Sequence, residues 1–271
     1  MSYDLIAIDI DGTLVAENKI ISPQVNDAIQ RVVKAGMKVV LCTGRPLPGA
    51  QPYVEELALN KADDYMITYH GALVQRSDTL ETILHHELTY QDLLDWHELT
   101  QSLDNSIQAV RNNGVFTDAR DLDYFKLMES YYNNIPLRIR EMNEINPDLL
   151  FSKLFMGDET KKLDQFEEVI PDLLKKEYTI LRSGPNSLEI LNKKASKGRA
   201  LSELADLLNI PQERVMAIGD SGNDIDMVEY AGLGVAMGNA VPAVKAVADV
   251  ITESADNFGV AHAINHYLFN E

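Results

Sequence analysis

Residues 6–15 read IAIDIDGTLV. Asp9 and Asp11 end an apolar run and are followed at once by Gly12-Thr13. In an extended chain, residues i and i+2 face the same side, so the two carboxylates can address one ligand. One can bind a metal and attack as a nucleophile. The other, if protonated, can hand its proton to a leaving oxygen and later take one from water. A plain Asp-Gly turn needs only one aspartate, and a second like charge beside it is costly. Two further segments put polar groups after apolar runs: Thr43-Gly44-Arg45 after KVVLC, and Gly219-Asp220-Ser221-Gly222-Asn223-Asp224 after VMAI. Asp9, Asp11, Asp220 and Asp224 on one rim would repel unless they share a cation, and an all-oxygen donor set favours a hard ion such as Mg2+.

Those positions need a scaffold, and the flanking sequence supplies its grammar. Leu5 to Ile8 reads as a strand. Ser22-Pro23 offers an N-cap with proline at the first helical position, Val25, Ile29, Val32 and Val33 recur at helical spacing, and Gly36 stops the segment. Lys38 to Cys42 and Met66 to Tyr69 are the next strands. After about residue 187 the same alternation returns. Ser196 caps a helix striped by Leu201, Leu204, Leu207 and Leu208. Val215 to Ile218, Leu233 to Ala236 and Val250-Ile251 read as strands, and helices follow around Met227 to Ala231 and Val260 to Leu268. Alternating strands and helices predict an α/β fold, a doubly wound, Rossmann-like parallel sheet whose ligands bind beyond the carboxyl ends of the strands. Residues 83–186 differ, with long helical patterns at Tyr90 to Leu103 and Thr160 to Lys176 and strand-like stretches at Ser106 to Arg111, Lys153 to Met156 and Tyr178 to Leu181. The expected organisation is a core of 1–82 plus 187–271, split by an α+β cap over 83–186.

Composition narrows the partners. The 271 residues carry 24 Lys+Arg against 42 Asp+Glu, a net charge of −18. That field repels nucleic-acid phosphates and anionic lipid, so neither nucleic acid nor a membrane is an expected partner. An anionic substrate would need a few local cations. Cys42 is the single cysteine, which excludes an internal disulfide. The start Met1-Ser2-Tyr3-Asp4 has no basic n-region and no apolar stretch reaches transmembrane length, so a cytoplasmic protein is expected.

Asp9-Ile10-Asp11-Gly12-Thr13 resembles the first motif of the haloacid-dehalogenase superfamily, whose leading aspartate forms an aspartyl-phosphate. Thr43-Gly44 is similar to the second motif, which hydrogen-bonds the phosphoryl group. Lys197-Gly198 is similar to the third, a lysine that neutralises phosphate and nucleophile. Gly219 to Asp224 is similar to the fourth, with Asp220 a direct Mg2+ ligand and Asp224 supporting it. Length, motif order and cap size look closest to the Cof-type branch and its YidA-like sugar phosphatases, where the counterpart of Asn223 also reaches the phosphate. His70-Gly71 departs from that branch, which usually shows Asn-Gly. A lysine at a helix start has the wrong sign for the helix dipole, and that oddity fits a site where dipole and ammonium converge on one phosphate.

The resemblance implies a Mg2+-dependent phosphomonoesterase acting on a small phosphorylated metabolite, with a sugar phosphate expected. Asp9 would be the nucleophile and Asp11 the acid–base partner. Thr43, Gly44, Lys197, Asn223 and the backbone of Ile10 would hold the phosphoryl oxygens, and Asp9, Asp11, Asp220 and Asp224 the metal. The cap would close over the site and choose the substrate. A phosphomutase with the same first motif, or a binding protein without turnover, are the alternatives. No sequence feature sets an oligomeric state. Arg45 is expected to bind substrate or pair with an acid, Cys42 to be a small core residue, and His85, His86, His97, His262 and His266 to have no metal role. Asp224-Ile-Asp226 lacks the glycine and terminal glutamate of a calcium loop.

Overall fold

The computed structural model describes residues 3–101 and 105–271. The Met1-Ser2 start and the end of the helical pattern at Leu103 lie outside the described residues. In chain order the first elements are β1 (Leu5–Ile8), α1 (Pro23–Lys34), β2 (Lys38–Cys42), α2 (Leu47–Glu56), β3 (Tyr65–Thr68), β4 (Leu73–Arg76) and β5 (Thr82–His85). Next come α3 (Tyr90–Gln101), β6 (Gln108–Arg111), β7 (Gly114–Thr117), α4 (Tyr124–Asn133), β8 (Leu137–Ile139), β9 (Lys153–Gly157), α5 (Thr160–Val169), α6 (Asp172–Glu177), β10 (Tyr178–Gly184) and β11 (Ser187–Asn192). The chain ends with α7 (Lys197–Leu207), β12 (Val215–Gly219), α8 (Ile225–Tyr230), β13 (Leu233–Ala236), α9 (Pro242–Val247), β14 (Val250–Ile251) and α10 (Gly259–Phe269).

One compact unit comprises the chain to Gly44, Gln51–Leu84 and Ser196–Glu271. Its sheet has the order β14-β13-β12-β1-β2-β3-β4-β5. Pairing is parallel from β14 through β3 and turns antiparallel at β3/β4. The central strands are apolar throughout because both faces are covered. Leu5, Ala7, Val40, Cys42, Val215 and Ala217 pack with Leu201, Leu204 and Met227 of α7 and α8. Ile6, Ile8, Val39 and Leu41 alternate to the opposite face, where they are equally buried and α1 packs on β2. Ser22 caps α1 by accepting from the Val25 amide, and Ser196 caps α7 by accepting from Arg199. Leu207 leaves the expected stripe and is exposed; Ala200 and Ala205 bury beside Leu201 and Leu204 in its place.

The second unit comprises Arg45–Ala50 and His85–Ala195. Its sheet has the order β10-β11-β9-β6-β7-β8. Neighbours are antiparallel except for parallel β7/β8. Ala109, Leu154, Met156, Leu188 and Ile190 form a core with Leu93 and Trp96 of α3 and Leu163 and Phe166 of α5. Three boundaries differ from the sequence reading, the first being that Arg45–Ala50 falls in the second unit and not in the core. Ser187–Asn192 pairs with β9 and β10, so the return to the first unit falls near Ser196 rather than at 187. The helical pattern Thr160 to Lys176 is two helices, because Pro171 has no N–H to continue the first and starts the second.

Candidate active site

β1 and β12 run side by side, and Asp9 N still donates to Ile218 O at 3.1 Å, so the backbone of Asp9 is pinned to the sheet. Beyond it the chain folds into a tight loop. Leu14 N donates to Asp9 O at 3.0 Å, Val15 N to Ile10 O at 3.0 Å and Gly12 N to Val15 O at 2.9 Å. Gly12 sits at φ +85, and a Cβ there would lie 2.4 Å from Asp220 Oδ2, so the turn and the close approach both demand glycine. Thr13 Oγ1 then donates to Asp220 Oδ1 at 3.0 Å, fastening the loop after β1 to the one after β12.

Lys197, the first residue of α7, is 1% exposed. Its Nζ donates to Asp9 Oδ1 and to Asp224 Oδ1, each at 2.6 Å. Asp224 Oδ2 accepts from the amides of Asp220 and Ser221, both at 2.9 Å, closing the single turn Gly222–Asp224. Asp224 therefore braces the loop and the lysine with both of its oxygens. Asp220 is held by Thr13 and by Ser221 Oγ at 3.2 Å.

One oxygen from each of Asp9, Asp220 and Asp224 lies within 4.8 Å of the others, and all three residues are buried. Three buried carboxylates face one ammonium, which leaves two negative charges uncompensated if all are ionised. The titration directions follow. Burial, with Asp224 next and Asp220 adding, pushes Asp9 well above the carboxylate range against the pull of Lys197. Burial and Asp224 raise Asp220 against Thr13, Ser221 and Lys197. Burial alone would depress Lys197, but Asp224 and Asp9 outweigh it and raise it. A surplus of two negative charges on hard oxygen donors fits a divalent cation, and Asp9, Asp220 and Asp224 are the residues that could hold one.

The remaining predicted residues distribute as follows. Asp11 falls outside the acidic cluster: its carboxylate takes Lys19 Nζ at 2.6 Å and is 39% exposed. Its side chain is not among the three gathered carboxylates, and the two-residue strand period that would align it with Asp9 has already ended at Ile8. Ile10 is buried, with its carbonyl committed to the loop. Thr43 is buried, donating its N–H to Ile67 O at 2.9 Å. Gly44 lies against the His70 ring. Asn223 Nδ2 is 2.9 Å from His70 Nδ1. Arg45 Nη1 donates to Gly49 O at 3.2 Å. Cys42 is a buried thiol whose pKa burial raises well above its ordinary value, so it stays protonated in the core. Among the described residues the acidic cluster contains no histidine. Sequence reasoning missed Thr13 and Ser221 as supports of Asp220, although both sit inside the motifs. It also missed Lys19, which carries no signal of its own.

The whole chain can now be placed. The haloacid dehalogenase-like hydrolase family model matches residues 6–264. YxeH of Bacillus subtilis is 42% identical over 98% of each chain. The 5-amino-6-(5-phospho-D-ribitylamino)uracil phosphatase YcsE of the same bacterium is 32% identical, over 97% of this chain and 95% of its own. The crystal structure of a haloacid dehalogenase-like hydrolase from Bacteroides thetaiotaomicron superposes with a TM-score of 0.88 at 31% identity, covering 98% of this chain and 99% of that one. The chain belongs to the haloacid dehalogenase-like hydrolases, in their Cof-type branch. It is a phosphatase of that family.

Proposed function

We propose that the enzyme is a Mg2+-dependent phosphomonoesterase acting on sugar or polyol phosphates through an aspartyl-phosphate on Asp9. The observation that carries this reading is Asp9 itself, buried at a strand tip between Lys197 and the other acids of the cluster. A carboxylate so placed has its Oδ1 held by the ammonium at 2.6 Å, which leaves Oδ2 to attack phosphorus in line. The Asp9–phosphorus bond forms as the ester phosphorus–oxygen bond breaks, and Asp11 supplies the proton to the departing alkoxide. Asp11 then takes a proton from water, which attacks phosphorus and returns Asp9 as a carboxylate with release of inorganic phosphate. The Asp11 carboxylate is paired with Lys19 Nζ at 2.6 Å, so this role has Asp11 leave that partner for the departing oxygen. Lys197, Thr43, Gly44, Asn223 and the backbone of Ile10 are assigned to the phosphoryl oxygens, where fixed donors stabilise the charge that develops. Bound Mg2+ would neutralise phosphoryl charge, with Asp9 and Asp220 holding it. The name of YcsE, which specifies a phosphorylated ribityl compound, supports a polyol-like substrate.

The test is phosphate release from a panel of sugar and polyol phosphates, with and without Mg2+, for wild type and Asp9→Asn. Mg2+-dependent release by the wild type alone is expected. Isomerised sugar phosphate without free phosphate would overturn hydrolysis in favour of a mutase.

A further inference from the structure

The loop after β3 has the most strained backbone beside the site. Tyr69, His70 and Gly71 hold φ 52, 54 and 90 in succession. Two side-chain-bearing residues in the left-handed region persist only where the surroundings enforce it, and such strain gathers at functional positions.

The enforcing contacts join three other segments of the site. His70 N donates to Thr43 O at 3.0 Å. The buried ring rests on Gly44, where a Cβ would lie 2.1 Å from Cε1, so any larger residue would displace it. Gly71 abuts the Ser196 carbonyl, one residue before Lys197, and a Cβ there would lie 2.0 Å from it. Finally, His70 Nδ1 stands 2.9 Å from Asn223 Nδ2.

With the carboxamide nitrogen facing the ring, that last contact has one polarity. An amide nitrogen only donates, so Nδ1 accepts and a neutral ring carries its proton on Nε2. The carboxamide has two N–H bonds; His70 takes one, while Oδ1 is buried without a protein hydrogen-bond partner. Without His70 the carboxamide could turn half-way round and exchange its N–H groups for its carbonyl. A carbonyl facing a phosphoryl oxygen repels it, whereas an N–H binds it.

We propose that His70 is a positioning residue for phosphate recognition: by accepting from Asn223 it selects the carboxamide orientation that presents an N–H to the substrate phosphate. This rests on the assignment of Asn223 to the phosphate in the reading above.

The direct test is 15N NMR of the histidine-labelled protein at about pH 8. A bare, hydrogen-bonded Nδ1 and a protonated Nε2 at His70 are expected. A protonated Nδ1 would overturn the proposal. Kinetics supply an independent readout. Asn tolerates the left-handed region and can place an acceptor near Nδ1, whereas Gln places its amide near Nε2. His70→Ala and His70→Gln should each lower kcat/KM roughly tenfold, with KM and the inhibition constant of inorganic phosphate rising together, while His70→Asn stays within about threefold. The double variant His70→Ala/Asn223→Ala should be no worse than Asn223→Ala alone. Retained function in His70→Gln but not His70→Asn, or multiplying losses in the double variant, would also overturn it. Wild-type protein that releases no phosphate from any sugar phosphate would sink the phosphatase reading yet leave the NMR result standing, so the two fail separately.

Discussion

Each unit of the molecule buries a lysine between two acids. In the first unit, Lys197 bridges Asp9 and Asp224 at 2.6 Å each. In the second, Lys153 bridges Glu189 at 2.6 Å and Glu129 at 3.1 Å, and is 2% exposed. Locally the two are alike: burial opposes each ammonium and its carboxylates restore it, raising both lysines. They differ in what surrounds them. Lys153 comes from the middle of the second sheet, with Glu189 on the adjacent strand β11 and Glu129 on α4, so three regular elements hold it. Lys197 sits at a helix start beside loops after β1 and β12, and a third carboxylate, Asp220, joins its cluster. A buried triad with one surplus carboxylate, held by regular elements, cements packing. A cluster with two surplus carboxylates at loop-bearing strand ends holds charge for a ligand.

The largest expected effect separates the two lysine sites by activity. Asp9→Asn should lower Mg2+-dependent hydrolysis of p-nitrophenyl phosphate by on the order of 10^4-fold or more, as loss of a nucleophile does. Lys153→Met should leave the kcat of the folded protein nearly unchanged; a comparable loss there would break the contrast. Next, Lys197→Met should reduce kcat roughly 10^2- to 10^3-fold through loss of a charge aimed at the phosphoryl group.

Stability reverses the ranking. Lys153→Met strands two buried glutamates and should cost about 3–5 kcal/mol in denaturant unfolding, whereas replacing all three residues by apolar ones of similar volume should recover most of it. Failure of that triple variant to recover would show that the triad does more than cement packing.

The surplus acid makes a pH prediction with a definite sign. Asp9 and Asp220 are raised in the fold, so their contribution to stability is complete below the unfolded carboxylate pKa and is lost as pH rises through the folded values. Metal-free protein therefore carries a penalty at neutral pH that a divalent cation removes. The rise in Tm on adding Mg2+ should be larger near pH 8 than near pH 5.5, and Asp220→Asn should abolish most of it. An equal rise at both pH values would contradict this charge balance. The smallest effect belongs to Ser196→Ala, which should cost about 1 kcal/mol as a lost N-cap, with a minor fall in activity through the first turn bearing Lys197.

Much of the first unit was legible because its signals are local. Leu5–Ile8, Lys38–Cys42 and Leu233–Ala236 form strands where apolar runs end in polar residues or glycine. Asp9, Lys197, Asp220 and Asp224, whose side chains lie together, were singled out because each stands at such an end or at a capped helix start. Asp11 was grouped with them by the two-residue period, but the strand ends at Ile8 and the Asp11 carboxylate pairs with Lys19. Residues 187–192 were counted with the core because SLEILN carries no mark of which sheet it joins, and it pairs with β9 and β10. His70 registered only as a departure from a pattern; the backbone that presses it onto Gly44 and Asn223 has no counterpart in residue type.

By itself, then, the sequence determined the chemical groups, the strand tips that carry them and the surplus of acid, because residue type and short-range periodicity suffice for these. Tertiary structure alone decided that Asp224 braces while Asp9 stays available, that His70 meets Asn223, and that Lys153 finds two glutamates in the second unit. Those outcomes depend on which distant segments pair and how closely they approach, and a buried charge is stabilised only by the partner that actually arrives beside it.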